Sequence, residues 1–277
     1  MHSEFMDLEK RGWKIPPAST SGLLKPSEVD ESKISFPSES YDSGENNSEA
    51  SGFWAKERAR AISSILKTTD TKTIWEVGAG NGNVAIPLRD LGFKIIAIEP
   101  LQSGALTLAK NGFLTFHSTL EGINLPNDSI EAIGAFDVLE HLEKPAVLLS
   151  EIYRVLKPGG VFLCSVPAYQ WLYSDFDISI GHFRRYSNST LNSSIQTAGL
   201  HPIKTIYLFG FLVVPAYLLR RIPYLFGRRR RFEDVHELNN SRFSLLSKLE
   251  SFLSWVVWLE QRLHLKFGLS LIALSRK

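Results

Sequence analysis

A single cysteine, Cys164, in 277 residues excludes an internal disulfide framework and a four-cysteine zinc site, and a lone thiol in an apolar stretch reads as core. A dominant charge is missing too. The 31 Lys and Arg against 29 Asp and Glu leave a formal +2, so nothing global points to nucleic acid. The longest near-continuous apolar run, residues 207–219, falls short of the ~20 residues that a membrane span requires. The opening MHSEFMDLEKRGWK carries acids and no apolar stretch of the secretory kind, so a cytoplasmic chain is expected. The seven histidines form no His-x-x-x-His or similar cluster, and no metal is expected.

What is present divides along the chain. Residues 1–52 are rich in Ser, Pro and acids, with ten acids against five bases. Such a segment buries little apolar surface and is expected to be mobile, ordered in part over a bound ligand. From residue 53 apolar runs alternate with amphipathic stretches: strands are expected at 73–77, 94–99, 114–117, 132–138 and 161–166, and helices at 53–67, 83–91, 102–111 and 143–156. Alternation of this kind builds right-handed βαβ units around a parallel sheet covered on both faces, an α/β, Rossmann-like fold. The expected organisation is a core over 53–209, a basic apolar helical insertion over 210–266 and a last strand of the core over 267–277.

The stretch TIWEVGAGNGNVAIPLRDLG reads as strand, glycine turn and helix, with Gly78, Gly80 and Gly82 where the period changes from 2 to 3.6. Glycine permits positive φ and brings bare backbone up to a ligand. Residues 80–85 also fit G-x-G-x-x-A, the dinucleotide fingerprint, so the glycines alone leave a dinucleotide and a methyl donor both open. Glu99, ending the next strand 17 positions beyond Gly82, can accept both hydroxyls of a ribose in either case. Glu76 lies inside the first strand, where an unpaired carboxylate is costly. It either holds the glycine loop through backbone N–H groups or faces a cation on the ligand, and a dinucleotide loop has no cation to offer.

In order along the chain, WEVGAGNG, IAIEP, FDVLEHLEKPAVLLSEIYRVLKPGGVF, VPAYQWLYSDFDISIGHFRRY and FGLSLIALSRK resemble the class I S-adenosylmethionine-dependent methyltransferases, in particular the subgroup with a Gly-His-x-Arg-Arg-Tyr segment. The match runs from about Phe53 to Ile206 and resumes in the last strand. The resemblance implies a seven-stranded sheet with helices on both faces, an antiparallel seventh strand, and S-adenosylmethionine as cofactor. It implies Gly78 and Gly80 under the methionine part of the donor, Glu99 on the ribose, Pro100, Thr119 and Leu120 about the adenine, and Asp137 beside the methyl-donor pocket, where it is expected to serve catalysis as well as cofactor binding. His117-Ser118 stands where many relatives have Gly-Asp. Asp137 as the N-cap of the next helix is the structural alternative.

Methyl transfer needs alignment, exclusion of water and removal of a proton. The segment after the fifth strand offers His182 as general base, Tyr169, Trp171 and Tyr173 as pocket walls, and Asp175 or Asp177 to orient it. Arg184 and Arg185 suit an anionic group on the acceptor; the structural alternative is that His182 and Arg185 pin the loop to the acidic groups beside it. Arg58 either meets the donor's carboxylate or is solvated. Between the last two strands, Arg220, Arg221 and Arg228 to Arg231 adjoin an apolar stripe of Leu245, Leu246, Leu249, Phe252, Leu253, Val256, Val257 and Leu263, widened by Trp255 and Trp258. This pattern suits an anionic membrane surface or a lipid-linked, quinone-like or glycan-lipid acceptor, and equally a face packed on the sheet or on a second subunit. The expectation is an enzyme peripheral on the inner membrane face; the alternative is a scaffold of the same fold that binds a membrane or protein partner.

Overall fold

The computed structural model describes residues 5–16, 18, 23–26, 28–31, 34–36, 52–227 and 250–277. A seven-stranded sheet runs in the order β3-β2-β1-β4-β5-β7-β6. Its strands are β1 (Thr73–Val77), β2 (Lys94–Glu99), β3 (Leu114–His117), β4 (Ile130–Phe136), β5 (Leu156–Pro167), β6 (His201–Leu208) and β7 (Ser270–Arg276). All pairs are parallel except those of β7, which runs antiparallel to β5 and β6. β1 lies between β2 and β4, and its residues Ile74 to Val77 are all buried, as expected of a central strand covered on both faces.

The helices are α1 (Met6–Lys10), α2 (Phe53–Leu66), α3 (Ala85–Asp90), α4 (Gln102–Lys110), α5 (Leu120–Ile123), α6 (Pro145–Val155), α7 (Asp175–Ser179), α8 (Asn188–Thr197), α9 (213–225, π-wound over Tyr217–Arg221) and α10 (Glu250–Arg262). Two apolar layers form, one on each face. Ala59, Ile62, Ile65 and Leu66 of α2 join Ile74, Leu88, Ile95 and Leu163 on one; Trp75, Ile98, Leu149, Ile152 and Phe162 lie on the other.

Three expectations need correction. Within 1–52, Phe5, Leu8, Trp13, Leu23 and Leu24 are buried, so the segment does bury apolar surface. Phe5 meets the rings of Trp13, Trp75 and Phe116, Trp13 Nε1 donates to the Ile123 carbonyl at 3.2 Å, and Leu24 bonds beside β3 through Thr115 and His117. Each fully buried side chain of this size stabilises by ~1.5–3 kcal/mol, and five such anchors outweigh an acidic average composition. Residues 1–4, 17, 19–22, 27, 32–33 and 37–51 lie outside the described residues. β4 ends at Phe136 rather than 138, so Asp137 sits in the turn after it. β5 starts at Leu156 rather than 161, and its register with β4 shifts between Ile130 and Ala132.

The insertion joins β6 to β7. Leu253 and Val257 bury one face of α10, Lys56 pairs with Glu250 at 3.2 Å, and Ser254 Oγ donates to Glu57 at 2.8 Å. Glu260 accepts from the backbone N–H groups of Gly210 and Phe211 at 3.0 and 2.7 Å, closing the start of the insertion. Phe252, Trp255, Trp258 and Leu263 remain exposed. Arg228 to Arg231, Leu245, Leu246 and Leu249 lie outside the described residues.

Candidate active site

Strand order reverses between β1 and β4, and at such a point the connections on either side diverge to leave a crevice. A cavity of about 510 Å³ occupies it. Its floor is the loop after β1. Gly78, Gly80 and Gly82 have φ of 68°, 57° and 88°, and a methyl group on Gly78 would stand 2.7 Å from Val138 Cγ2. Gly78 and Ala79 N–H groups donate to the Ile98 carbonyl at 2.8 and 3.2 Å, which ties the loop to the end of β2. Glu99 completes the tie: its carboxylate accepts from Gly80 at 2.7 Å and from Leu101 at 2.8 Å.

All eight residues expected at the donor site line this cavity: Glu76, Gly78, Gly80, Glu99, Pro100, Thr119, Leu120 and Asp137. Burial raises Glu99 to about 7 despite its two backbone hydrogen bonds, and burial, with the Glu99 charge second, raises Glu76 to about 8. Glu76 Oε2, Asn81 Oδ1 and Ser118 Oγ are buried without a hydrogen-bond partner, and all three residues line the cavity. The loop is therefore ringed by acceptors awaiting donors or a cation. Asn81 escaped the sequence analysis because only the glycines around it carry a pattern.

Asp137 adopts φ 55°, a left-handed conformation that costs a non-glycine residue ~1–2 kcal/mol. Ser165 holds it, through a carbonyl accepting from the Asp137 N–H at 2.9 Å and a hydroxyl donating to Oδ1 at 2.8 Å. Arg58 of α2 pairs with Oδ2, so its partner here is Asp137. No side-chain cap is found on the helical turn that follows, so Asp137 is not its N-cap.

The far end of the cavity joins the turn Leu139–His141 to the segment 176–185. His182 Nδ1 lies 2.9 Å from Asp177 Oδ1, and Arg185 Nε donates to the same oxygen at 2.7 Å. Burial opposes the Asp177 charge, but the His182 hydrogen bond and Arg185 together hold its carboxyl below the ordinary value. Glu140 is fully buried with neither oxygen hydrogen-bonded. Burial, with Asp137 second, pushes its carboxyl well above the usual range, while burial and His182 lower His141 to about 4. Gly181 passes against the Ser35 backbone so closely that a side chain would collide, and Ile34, Ser35 and Phe36 close this side of the cavity.

Of the expected acceptor residues, His182 and Arg185 line the cavity; Tyr169, Trp171 and Arg184 do not. Tyr169 stacks on Trp171 and Tyr207 at 5.3 and 5.8 Å, and Arg184 donates to the carbonyls of Leu142 and Glu143 at 3.0 and 2.8 Å, pinning one loop to the other. Tyr173 likewise spends its hydroxyl on the His182 carbonyl, and Asp175 is buried outside the lining. The aromatic density of this segment is structural because the loop must pack on itself before it can wall a pocket. Contrary to the expectation of no metal-ligating cluster, Glu140, His141 and His182 converge. Adjacent Glu and His directly beyond a strand end were the available signal; the third member comes from another loop, which no spacing rule reveals.

Residues 47–205 match the model of a family described as a methyltransferase domain. The chain belongs to this family. A Mycolicibacterium smegmatis protein described as a probable S-adenosylmethionine-dependent methyltransferase is 27% identical over 161 residues, covering 57% of this chain and 63% of that protein. An uncharacterized methyltransferase of Mycobacterium tuberculosis is 28% identical over 149 residues, covering 52% of this chain and 58% of it. The chain thus spans less than two thirds of either relative. Among solved structures, a Thermotoga maritima S-adenosylmethionine-dependent methyltransferase, titled a possible histamine N-methyltransferase, gives a TM-score of 0.51 at 16% identity, covering 82% of this chain and 89% of that one. One from Archaeoglobus fulgidus gives 0.50 at 15%, covering 79% and 94%. These two carry the fold alone. The methyltransferase family's donor is S-adenosylmethionine, and the site fits it: Glu99 keeps lone pairs for ribose hydroxyls, Glu76 Oε2 is an unpaired acceptor for a cation, and the bare backbone at Gly78 and Gly80 leaves room.

Proposed function

We propose that this protein is an S-adenosylmethionine-dependent methyltransferase that methylates an oxygen on an amphipathic acceptor, lipid-linked, quinone-like or glycan-lipid, at the cytoplasmic face of a membrane. One observation carries the choice of acceptor. Helix α9 contributes Arg220 to the cavity lining and, along the same turns, exposes Val214, Leu218, Leu219, Leu225 and Phe226, the last at 85%. A polar head can therefore enter beside Arg220 while an apolar body stays on α9, and the exposed Trp255 and Trp258 of α10 with Arg262 over Trp258 extend an interfacial surface. Among the described residues no helix is long and apolar enough to cross a membrane.

When bound, S-adenosylmethionine supplies a methyl group activated by its sulfonium charge. Glu76 and Glu99 hold the donor's polar groups, and Arg58 on Asp137 fixes the wall between the donor end and the acceptor end. Asp177 accepts from His182 Nδ1, which leaves Nε2 free to take the acceptor's hydroxyl proton. Arg185 keeps Asp177 ionised, and Phe36, Phe176 and Ile180 wall this end of the cavity. The test is incubation with methyl-labelled donor and either a membrane lipid extract or an aqueous metabolite extract. Label partitioning into the organic phase supports the lipid acceptor; label confined to the aqueous phase refutes it while retaining the methyltransferase.

A further inference from the structure

We propose that Glu140, His141 and His182 form a site for one first-row divalent cation, of the Zn²⁺ class, opening onto the acceptor end of the cavity. One carboxylate oxygen and two imidazole nitrogens, one from each residue, all lie within 4.8 Å of one another. Ligands around a tetrahedral Zn²⁺ with bonds of 2.0–2.1 Å stand about 3.3 Å apart, so small rotations of these side chains close the set. Two histidines with one carboxylate are a donor set suited to a borderline cation, and they leave at least one coordination position for an incoming oxygen.

Burial supplies the independent observation. Glu140 is 0% exposed and both of its oxygens lack a hydrogen bond; His182 Nε2 is 3.9 Å from Oε1, beyond hydrogen-bond reach. His141 Nδ1 is also buried without a partner. Unpaired buried polar atoms are expensive, and these three, both Glu140 oxygens and His141 Nδ1, belong to residues whose ligand atoms converge. Asp177 fixes the tautomer: by accepting from Nδ1 of His182 it leaves the Nε2 lone pair toward Glu140, the carboxylate–histidine arrangement that orients metal ligands. Asp177 is itself held by Arg185 Nε at 2.7 Å and by the Ser174 N–H at 3.0 Å. The two loops are locked together, with the Phe183 N–H donating to the Glu140 carbonyl at 2.8 Å and the Tyr186 hydroxyl to the Leu139 carbonyl at 3.2 Å. Ligands from rigidly joined loops hold their geometry without the ion.

The cation's role rests on the methyltransferase proposed above; the site itself does not. With the cation present, His182 Nε2 is a ligand and no longer takes the proton. An acceptor hydroxyl on the open position is acidified and gives its proton to solvent, and its oxygen is held for methylation. The acceptor class narrows to hydroxyl compounds.

The experiment uses full-length protein stripped with a chelator, titrated calorimetrically with Zn²⁺ and Mn²⁺ in separate runs and followed by visible absorption with Co²⁺. S-adenosylhomocysteine binding and a cooperative thermal melt serve as controls of the donor site and the fold. One equivalent of cation is expected, with Co²⁺ d–d bands. Glu140→Gln and His141→Ala should each lower affinity at least 100-fold with both controls intact, and Asp177→Asn should lower it about 10–100-fold as the outer-shell partner. If Glu140→Gln fails to melt cooperatively, His141→Gln takes its place. Protein that binds S-adenosylhomocysteine but none of the three cations stoichiometrically, or cation binding indifferent to the substitutions at 140 and 141, overturns the site. Loss of S-adenosylhomocysteine binding in the unsubstituted protein would instead count against the methyltransferase and leave the metal titration to be read alone.

Discussion

Replacing Glu76 by Gln separates the carboxylate's use in ligand binding from its cost in the free protein. The side chain is 2% exposed, Oε2 has no partner, and burial followed by the Glu99 charge raises the carboxyl from 4.5 to about 8. Below pH 4.5 the group is protonated in folded and unfolded chains alike and contributes nothing. Between 4.5 and about 8 the unfolded chain has released a proton that the folded chain retains, so the folded state loses stability as pH rises; above 8 the full penalty stands. At ~1.4 kcal/mol per pH unit the window amounts to about 5 kcal/mol at most, and water in the cavity reduces it to about 2–3. Glutamine has no such titration. Its amide carries a pH-independent cost of its own, so the diagnostic quantity is the change between acid and alkaline pH. Relative to the unsubstituted protein, Glu76→Gln should gain about 2–3 kcal/mol from pH 5 to pH 9, about 4–12 °C in melting temperature. Thermal melts across that range measure it, and parallel curves for the two proteins would refute the buried carboxylate. In calorimetry at pH 8.5 the same variant should bind S-adenosylhomocysteine more weakly, because the ammonium loses its counter-charge; unchanged affinity would remove Glu76 from the ligand.

Gly78→Ala should cost ~1–2 kcal/mol for the left-handed backbone and ~1–3 more for the contact with Val138, with loss of S-adenosylhomocysteine affinity. Adding Val138→Ala should recover the second part in melts, and no recovery would mean that the clash is absorbed elsewhere. Asp177→Asn should lower kcat about 10²–10⁴-fold and destabilise by ~3–5 kcal/mol, since Arg185 loses its buried partner, while S-adenosylhomocysteine affinity stays unchanged. An equal loss of turnover and donor affinity would make the Asp177–His182 pair a scaffold of the pocket. Trp255→Ser with Trp258→Ser should leave the melting temperature unchanged, both rings being about half exposed, yet weaken co-sedimentation with anionic vesicles at least 10-fold, as expected from ~1.5–3 kcal/mol per apolar ring withdrawn. Undiminished vesicle binding would move the membrane contact away from α10.

The sequence was informative where one physical demand dominates a short segment, and failed where long-range packing decides. Strands 73–77, 94–99 and 114–117 are legible because buried parallel strands admit little but apolar residues, and the glycine loop is legible because positive φ at Gly78, Gly80 and Gly82 leaves few alternatives. The amino-terminal segment misled because an average over Ser, Pro and acids hides Phe5, Leu8 and Trp13, which find their partners about Trp75 and Phe116. The acceptor end failed in the opposite sense. Tyr169, Trp171 and Arg184 have the chemistry of a pocket wall, but their rings and hydrogen bonds are spent on neighbours. Glu140 and His141 belong to a segment that marks the family by its order along the chain, and their chemistry appears only when His182 arrives from the loop beyond β5. Donor binding is built from one loop and two strand ends, so local sequence can specify it. The other end of the cavity is assembled from residues 34–36, the turn after β4, segment 176–185 and Arg220 of α9, four pieces far apart in the chain, so no local stretch of sequence specifies it.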